Sequence, residues 1–96
     1  MESPIKKLRH DLGLSRGELA KALGENYSYL AALERGEYNL PPRLAEGLLA
    51  LGVDPEALAA NITAFRADQR NAIIKRTKRR LGTKTLISEA KAGAKS

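Results

Sequence analysis

The side chains of this 96-residue chain that could act on another molecule are mostly basic. Residues 64–96 carry ten basic and two acidic side chains, a net charge of +8, whereas residues 1–63 carry seven basic and nine acidic ones. Seven of the ten basic residues lie close together: Arg66, Arg70, Lys75, Arg76, Lys78, Arg79 and Arg80. Such a block of positive charge predicts attraction to polyanions. The alternative interpretation is a helix face that is only exposed to water.

Catalytic and metal-binding chemistry has few candidate residues. Cys is absent and His10 is the single histidine, which excludes thiolate nucleophiles, disulfides and Cys/His zinc sites. We therefore expect neither an enzyme nor a bound metal or cofactor. The sequence has no apolar run of about 18 residues and no signal peptide at its start, so we expect a cytoplasmic protein that does not contact membranes.

The elements that position these side chains are predicted to be helices, because no segment alternates apolar and polar residues with the period of two that is typical of a strand. Ser3 with Pro4, Ser15 with Glu18, and Asn26 each begin a helix with a residue that can accept a backbone N–H. The third helix is expected over residues 26–34. A fourth follows Pro41-Pro42 and a fifth begins at Asp54-Pro55-Glu56, which predicts an all-α fold of five short helices.

An aliphatic core is predicted, since aromatic residues are only 4% of the chain. Apolar residues recur at helical spacing. The residues expected to face inward are Ile5, Leu8, Leu12, Leu19, Ala20, Leu23, Leu30, Leu33, Leu44, Leu48 and Leu51.

The segment after residue 62 is predicted to be a separate basic helix over residues 63–82, with Asp68 as a possible start and Gly82 at its end. Its apolar positions form a thin seam of Ile62, Phe65, Ile73, Ile74 and Leu81. This seam either packs on the core or forms a dimer contact. Residues 83–96 are rich in Lys, Ala, Gly and Ser, and we expect them to be disordered. Residues 1–62 then form the folded domain.

Two helices joined by a short turn containing Gly, the second being short and polar on one side, are typical of DNA-binding helix-turn-helix units. Over about residues 4–60 the chain resembles the phage repressor and Cro-like helix-turn-helix domains known as the XRE family. The residues that carry the resemblance are Leu8-Arg9, Gly13-Leu14-Ser15, Glu18-Leu19-Ala20, Leu23-Gly24, Tyr29-Leu30, Leu33-Glu34-Arg35-Gly36, Pro41 and Leu51-Gly52-Val53.

The resemblance implies roles for individual residues. Four outward residues of the third helix would contact base edges: Asn26, Tyr27, Ser28 and Ala32. Arg16 stands where most relatives have a Gln that binds a phosphate, Tyr29 is expected to lie near the DNA backbone, and Arg43 would contact a phosphate.

The resemblance also implies a structural ion pair. Arg9 and Glu34 occupy positions that tie the first helix to the third in many relatives. Two residues depart from the family pattern. Glu25 replaces a small apolar residue under the turn, and Pro42 replaces a capping Ser.

From these observations we expect a small transcriptional regulator, such as a repressor, that binds double-stranded DNA as a homodimer and acts by occupying an operator. The basic residues of 64–96 would aid binding. Two alternatives stay open. One is an antitoxin-like module in which residues 64–96 bind a protein partner, and the other is a non-specific nucleic-acid-binding protein.

Overall fold

The helices form in the predicted order, and a computed structural model of the chain describes residues 1–81. The elements are α1 (Pro4–Leu12), α2 (Arg16–Leu23), α3 (Tyr27–Glu34), a 3-10 turn (Pro42–Leu44), α4 (Ala45–Ala50) and α5 (Pro55–Leu81). Residues 1–81 contain no strand, so the prediction of an all-α fold is confirmed. Residues 83–96, for which disorder was expected, lie outside the described residues.

Side chains cap the first three helices at the predicted positions. Ser15 and Glu18 form a reciprocal capping box, in which the Ser15 hydroxyl accepts from the Glu18 N–H at 3.1 Å and the Glu18 carboxylate accepts from the Ser15 N–H at 2.8 Å. Asn26 Oδ1 accepts from the Tyr29 N–H at 2.7 Å at the start of α3. These local bonds determine where α2 and α3 begin.

The core is aliphatic, as predicted. Its buried residues are Ile5, Leu19, Ala20, Leu30, Leu33, Leu44, Leu48, Leu58 and Ile62. Helix α2 packs against α3 and α4, while α1 packs against α3 and α5. The Ser3 hydroxyl also donates to the Glu34 carbonyl oxygen at 2.6 Å, which joins the start of α1 to the end of α3.

The sequence predicted a short fifth helix followed by a separate basic helix. This prediction is wrong, because residues 55–81 form the single helix α5. No Gly or Pro follows Pro55 in this helix, so nothing interrupts its backbone hydrogen bonds. Asp68 lies inside the helix and does not start a new one; its carboxylate is 3.5 Å from the Met1 amino group. The expected domain boundary at residue 62 therefore falls within α5.

Only the first half of α5 packs on the core. Leu58, Ile62 and Phe65 are buried, whereas every residue from 71 to 81 is exposed. The structure is accordingly elongated, with extents of 52 × 24 × 23 Å. The predicted seam is divided as well, since Ile62 and Phe65 are buried while Ile73 and Leu81 are not. Among residues 1–81, no helix has both the length and the apolar character needed to span a bilayer.

Candidate nucleic-acid interface

A three-residue turn joins α2 to α3 and sets the start of α3. Gly24 takes a left-handed conformation with φ of 69°, which a glycine adopts without steric cost, and its N–H bonds to the end of α2. Asn26 then caps α3. The turn leaves the first residues of α3 on the surface while the helix packs against α2.

The first turn of α3 is exposed, but the rest of the helix is buried. Asn26, Tyr27 and Ser28 are all exposed. From Leu30 to Glu34 every residue is buried. The surface that α3 offers to another molecule is therefore its N-terminal turn, where the helix dipole and free N–H groups favour an anion.

The expectation that Ala32 faces outward is wrong. Its side chain is only 6% exposed, as one of five consecutive buried residues in an eight-residue helix. A small side chain lets neighbouring elements close over that part of the helix. Ala32 thus presents almost no side-chain surface to another molecule.

The structure brings Arg9 and Glu34 together and adds Arg16 to the pair. Arg9 Nε donates to Glu34 Oε2 at 2.9 Å, and Arg9 Nη2 donates to Oε1 at 3.1 Å. Arg16 approaches from the other side, with Nε 3.3 Å from Oε2 and Nη2 3.1 Å from Oε1. One carboxylate thus ties α1, α2 and α3 together through two bidentate pairs.

The two guanidinium groups stabilise the charged form of Glu34. Its side chain is buried, and burial by itself raises the pKa of a carboxylic acid. The hydrogen bonds from Arg9 and Arg16 outweigh burial and lower the pKa of Glu34 from 4.5 to about 2. Glu34 is therefore ionised at neutral pH.

Arg16 also contacts a residue of the exposed turn. Its Nη1 donates to the Tyr27 hydroxyl at 3.1 Å, and its guanidinium carbon lies 5.4 Å from the centre of the Tyr27 ring. From the sequence Arg16 was expected to bind a phosphate, and neither its contact with Glu34 nor its contact with Tyr27 was predicted. Those partners are eighteen and eleven residues away, and no local sequence signal points to them.

A second cluster of side chains surrounds Tyr29, close to the start of α3. The rings of Tyr29 and Tyr38 are stacked with centroids 5.4 Å apart, and the Arg43 guanidinium lies 5.1 Å from the Tyr29 ring centre. Arg43 Nε donates to Glu25 Oε2 at 2.8 Å. Glu25, which departs from the family pattern, is therefore paired with Arg43 and does not disrupt the turn. Neither the position of Tyr38 against Tyr29 nor the pairing of Arg43 with Glu25 was predicted from the sequence.

The basic residues of α5 are not brought to the turn. Gln69 Nε2 donates to the Arg35 carbonyl oxygen at 2.9 Å, just beyond the C-terminal end of α3. Arg66 is also engaged there, with Nε donating to the Gly36 carbonyl oxygen at 3.0 Å and Nη1 to Asn39 Oδ1 at 2.7 Å. Six other basic residues are exposed along α5, namely Arg70, Lys75, Arg76, Lys78, Arg79 and Arg80. They begin at the end of α3 opposite to Tyr27.

Among residues 1–81, no group of acidic or histidine side chains is arranged to hold a metal ion. A protein-family model described as Helix-turn-helix matches residues 5–58, which run from the second residue of α1 to the first turn of α5. Comparisons with curated proteins and with solved structures gave no match.

Proposed function

The chain belongs to the helix-turn-helix family of the XRE and Cro/C1 type, whose domains bind DNA, and we propose that it is a sequence-specific transcriptional regulator that acts by occupying an operator. The observation that carries this proposal is the exposed, capped first turn of α3. Its polar side chains are held on a packed helix, which is what direct readout of a base edge requires.

The exposed first turn of α3 presents mainly hydrogen-bond donors. Asn26 Oδ1 is occupied by the Tyr29 N–H, so the free part of this side chain is its amino group. The Tyr27 hydroxyl accepts from Arg16, so its own hydrogen remains to be donated. Ser28 can donate or accept. We infer a preference for base edges that offer acceptors in the major groove, namely guanine N7 and O6, adenine N7 and thymine O4.

Phosphate contacts would surround this turn. Arg16 retains unused N–H donors on Nη1 and Nη2, Arg43 is exposed, and the partly buried Tyr29 ring lies against the Arg43 guanidinium. Arg43 is tied to Glu25, which neutralises part of its charge and makes it the weaker phosphate ligand of the two arginines. The exposed basic residues of α5 would add a sequence-independent attraction to DNA, whether or not each one contacts a phosphate.

Two copies are needed for a site of useful length. A helix of eight residues is about 12 Å long and its exposed turn is shorter still, so one copy contacts only a few base pairs. We propose that a homodimer occupies a pseudo-palindromic site with half-sites about one helical turn of DNA apart. An occupied operator would block or assist a polymerase without a bound small molecule.

Selection of bound duplexes from a random DNA pool tests the proposal. We expect enrichment of a two-fold repeated motif. Tyr27→Ala and Ser28→Ala should each lower the ratio of operator to random-duplex affinity by about 5-fold to 150-fold, since a base contact is worth about 1–3 kcal/mol.

Lys78→Gln is the matched control for these variants, because Lys78 is exposed on α5 and lies away from the turn. It should weaken operator and random DNA alike. A pool that shows no enrichment would favour non-specific nucleic-acid binding. Full retention of the affinity ratio by both turn variants would contradict the assignment of α3 as the reading helix.

A further inference from the structure

The distal segment of α5, residues 70–81, is a helix whose apolar residues have no partner in the described part of the chain. Its residues from 71 onwards are exposed, and Ile73 is 52% exposed. Ile74 and Leu81 are exposed too, and with Ile73 they lie within one sector of about 100° on a helix of 3.6 residues per turn. The distal segment thus carries an apolar strip that nothing among residues 1–81 covers.

A groove continues this strip onto the domain. It has a volume of about 530 Å³ and lies between α5 and the loop that follows α3. Gly36 lies on the loop side, while Thr63, Ala67, Arg70 and Ile74 form one row along α5 at spacings of three and four residues. The groove and the strip together form one continuous surface, edged by arginines, onto which an extended or helical segment could pack.

The charge of the surface decides between its possible occupants. Residues 66–81 carry seven basic side chains, and their one acidic residue, Asp68, faces the Met1 amino group. A second copy of the same segment would bring arginines against arginines. Residues 82–96 carry three lysines and one Glu, so their net charge is also positive. Both of these occupants would be repelled.

A polyanion without apolar groups would pair with the basic side chains of this surface but would not cover its apolar strip. DNA phosphates would pair with the arginines but would leave Ile73 and Ile74 in water, because a sugar-phosphate backbone offers no apolar face of matching size. A protein segment that combines acidic and apolar side chains would pair with the charges and cover the strip.

We propose that the distal segment of α5 and its groove form a docking surface for an acidic amphipathic segment of another protein. The docking surface is separate from the first turn of α3, since α5 joins the domain beyond the opposite end of that helix. The first turn of α3 therefore stays free to contact DNA while the partner occupies the basic face of α5, which would bring the partner to the operator.

A synthetic peptide tests this proposal. The probe is a fluorescent 18-residue helical peptide with Leu on one face and Glu on the others, and its control has the same composition in scrambled order. Binding to the full chain is measured by fluorescence anisotropy. We expect the ordered peptide to bind more tightly, and we expect Ile73→Ser and Ile74→Ser each to weaken it about tenfold through lost apolar burial.

Leu49→Ser is the matched control, because Leu49 is an apolar residue on α4 that is more exposed than either isoleucine and lies outside the groove and the strip. It should leave peptide binding unchanged. Equal binding of the ordered and scrambled peptides, with no effect of the isoleucine variants, would overturn the proposal and reduce the surface to a site for any polyanion.

Two further measurements distinguish the rejected occupants. A dimer seen by analytical ultracentrifugation and abolished by Ile73→Ser would show that a second copy covers the strip, and would overturn the proposal. The proposal would also be overturned if Ile73→Ser weakened binding to a random 30-base-pair duplex as much as it weakened binding to the peptide. Unchanged sedimentation and unchanged duplex affinity, together with weaker peptide binding, are the results expected.

Discussion

Replacing Glu34 by Gln should destabilise the fold at neutral pH by an amount that follows from the structure. The substitution keeps the size of the side chain but removes the charge that faces Arg9 and Arg16. Those two guanidinium groups would then lie against a neutral amide inside the domain, and their mutual repulsion would be uncompensated.

The lowered pKa of Glu34 gives the magnitude. A change from 4.5 to about 2, at about 1.4 kcal/mol for each pH unit, corresponds to about 3 kcal/mol in favour of the ionised side chain in the folded state. Domains of this size are stabilised by about 5–15 kcal/mol in total. Glu34→Gln should therefore remove a substantial share of the free energy of unfolding.

The pH dependence has a definite sign. Because the pKa of Glu34 is lower in the folded state, the stabilisation is fully present above about pH 4.5 and is lost as the pH falls towards 2. The wild-type chain should thus lose about 3 kcal/mol over this range that the Gln variant does not lose. Other carboxylates titrate in both chains, so their effect cancels in the difference.

Urea denaturation followed by circular dichroism at 222 nm measures both free energies of unfolding at several pH values. The difference between wild type and Glu34→Gln should be about 3 kcal/mol at pH 7 and should approach zero near pH 2. A difference below about 1 kcal/mol at pH 7, or one that stays constant down to pH 2, would show that the two arginines do not hold the carboxylate as the geometry indicates.

Arg9→Ala should lower the free energy of unfolding by about 3 kcal/mol and Arg16→Ala by only about 1 kcal/mol. Arg9 is the more buried of the two, with 12% of its side chain exposed against 34% for Arg16. A larger loss for Arg16→Ala than for Arg9→Ala in urea denaturation would contradict this. Gly36→Ala should cost about 2 kcal/mol, since Gly36 has φ of 83° and a Cβ there would meet α5 side chains. Gly13→Ala is its control, because Gly13 has a similar φ but open space around it. Thermal denaturation should show a loss of free energy of unfolding about half as large as that of Gly36→Ala. Removal of residues 71–96 keeps the buried part of α5 and should reduce the slope of log affinity for DNA against log salt by about 0.9 for each lost phosphate contact; an unchanged slope would show that these residues make no such contact.

The positions where the helices begin could be predicted because the signals are local. The Ser15 box and the Asn26 cap each act over three residues, so the sequence contains both partners of every bond. The aliphatic core followed from helical spacing for the same reason. The ion pair of Arg9 and Glu34 was implied by the family resemblance and not by the residues alone.

Predictions from the sequence were incomplete or wrong where distant segments meet. Arg16 was predicted only as a phosphate ligand, and the packing of α2 on α3 also places its guanidinium on Glu34 and Tyr27. Ala32 was assigned to the outward face by the family resemblance, which does not give the depth to which each side of α3 is covered in this chain. Its burial depends on how closely the neighbouring elements approach.

The sequence by itself determined the helical class, the helix starts, the aliphatic core and the basic character of α5, because caps, spacing and charge are properties of neighbouring residues. Only the tertiary structure decided which polar side chains remain free. It paired Arg16 with Glu34 and Arg43 with Glu25, and it left Tyr27 exposed in the first turn of α3. The reason is that hydrogen bonds and burial between distant residues depend on packing, which no local pattern encodes.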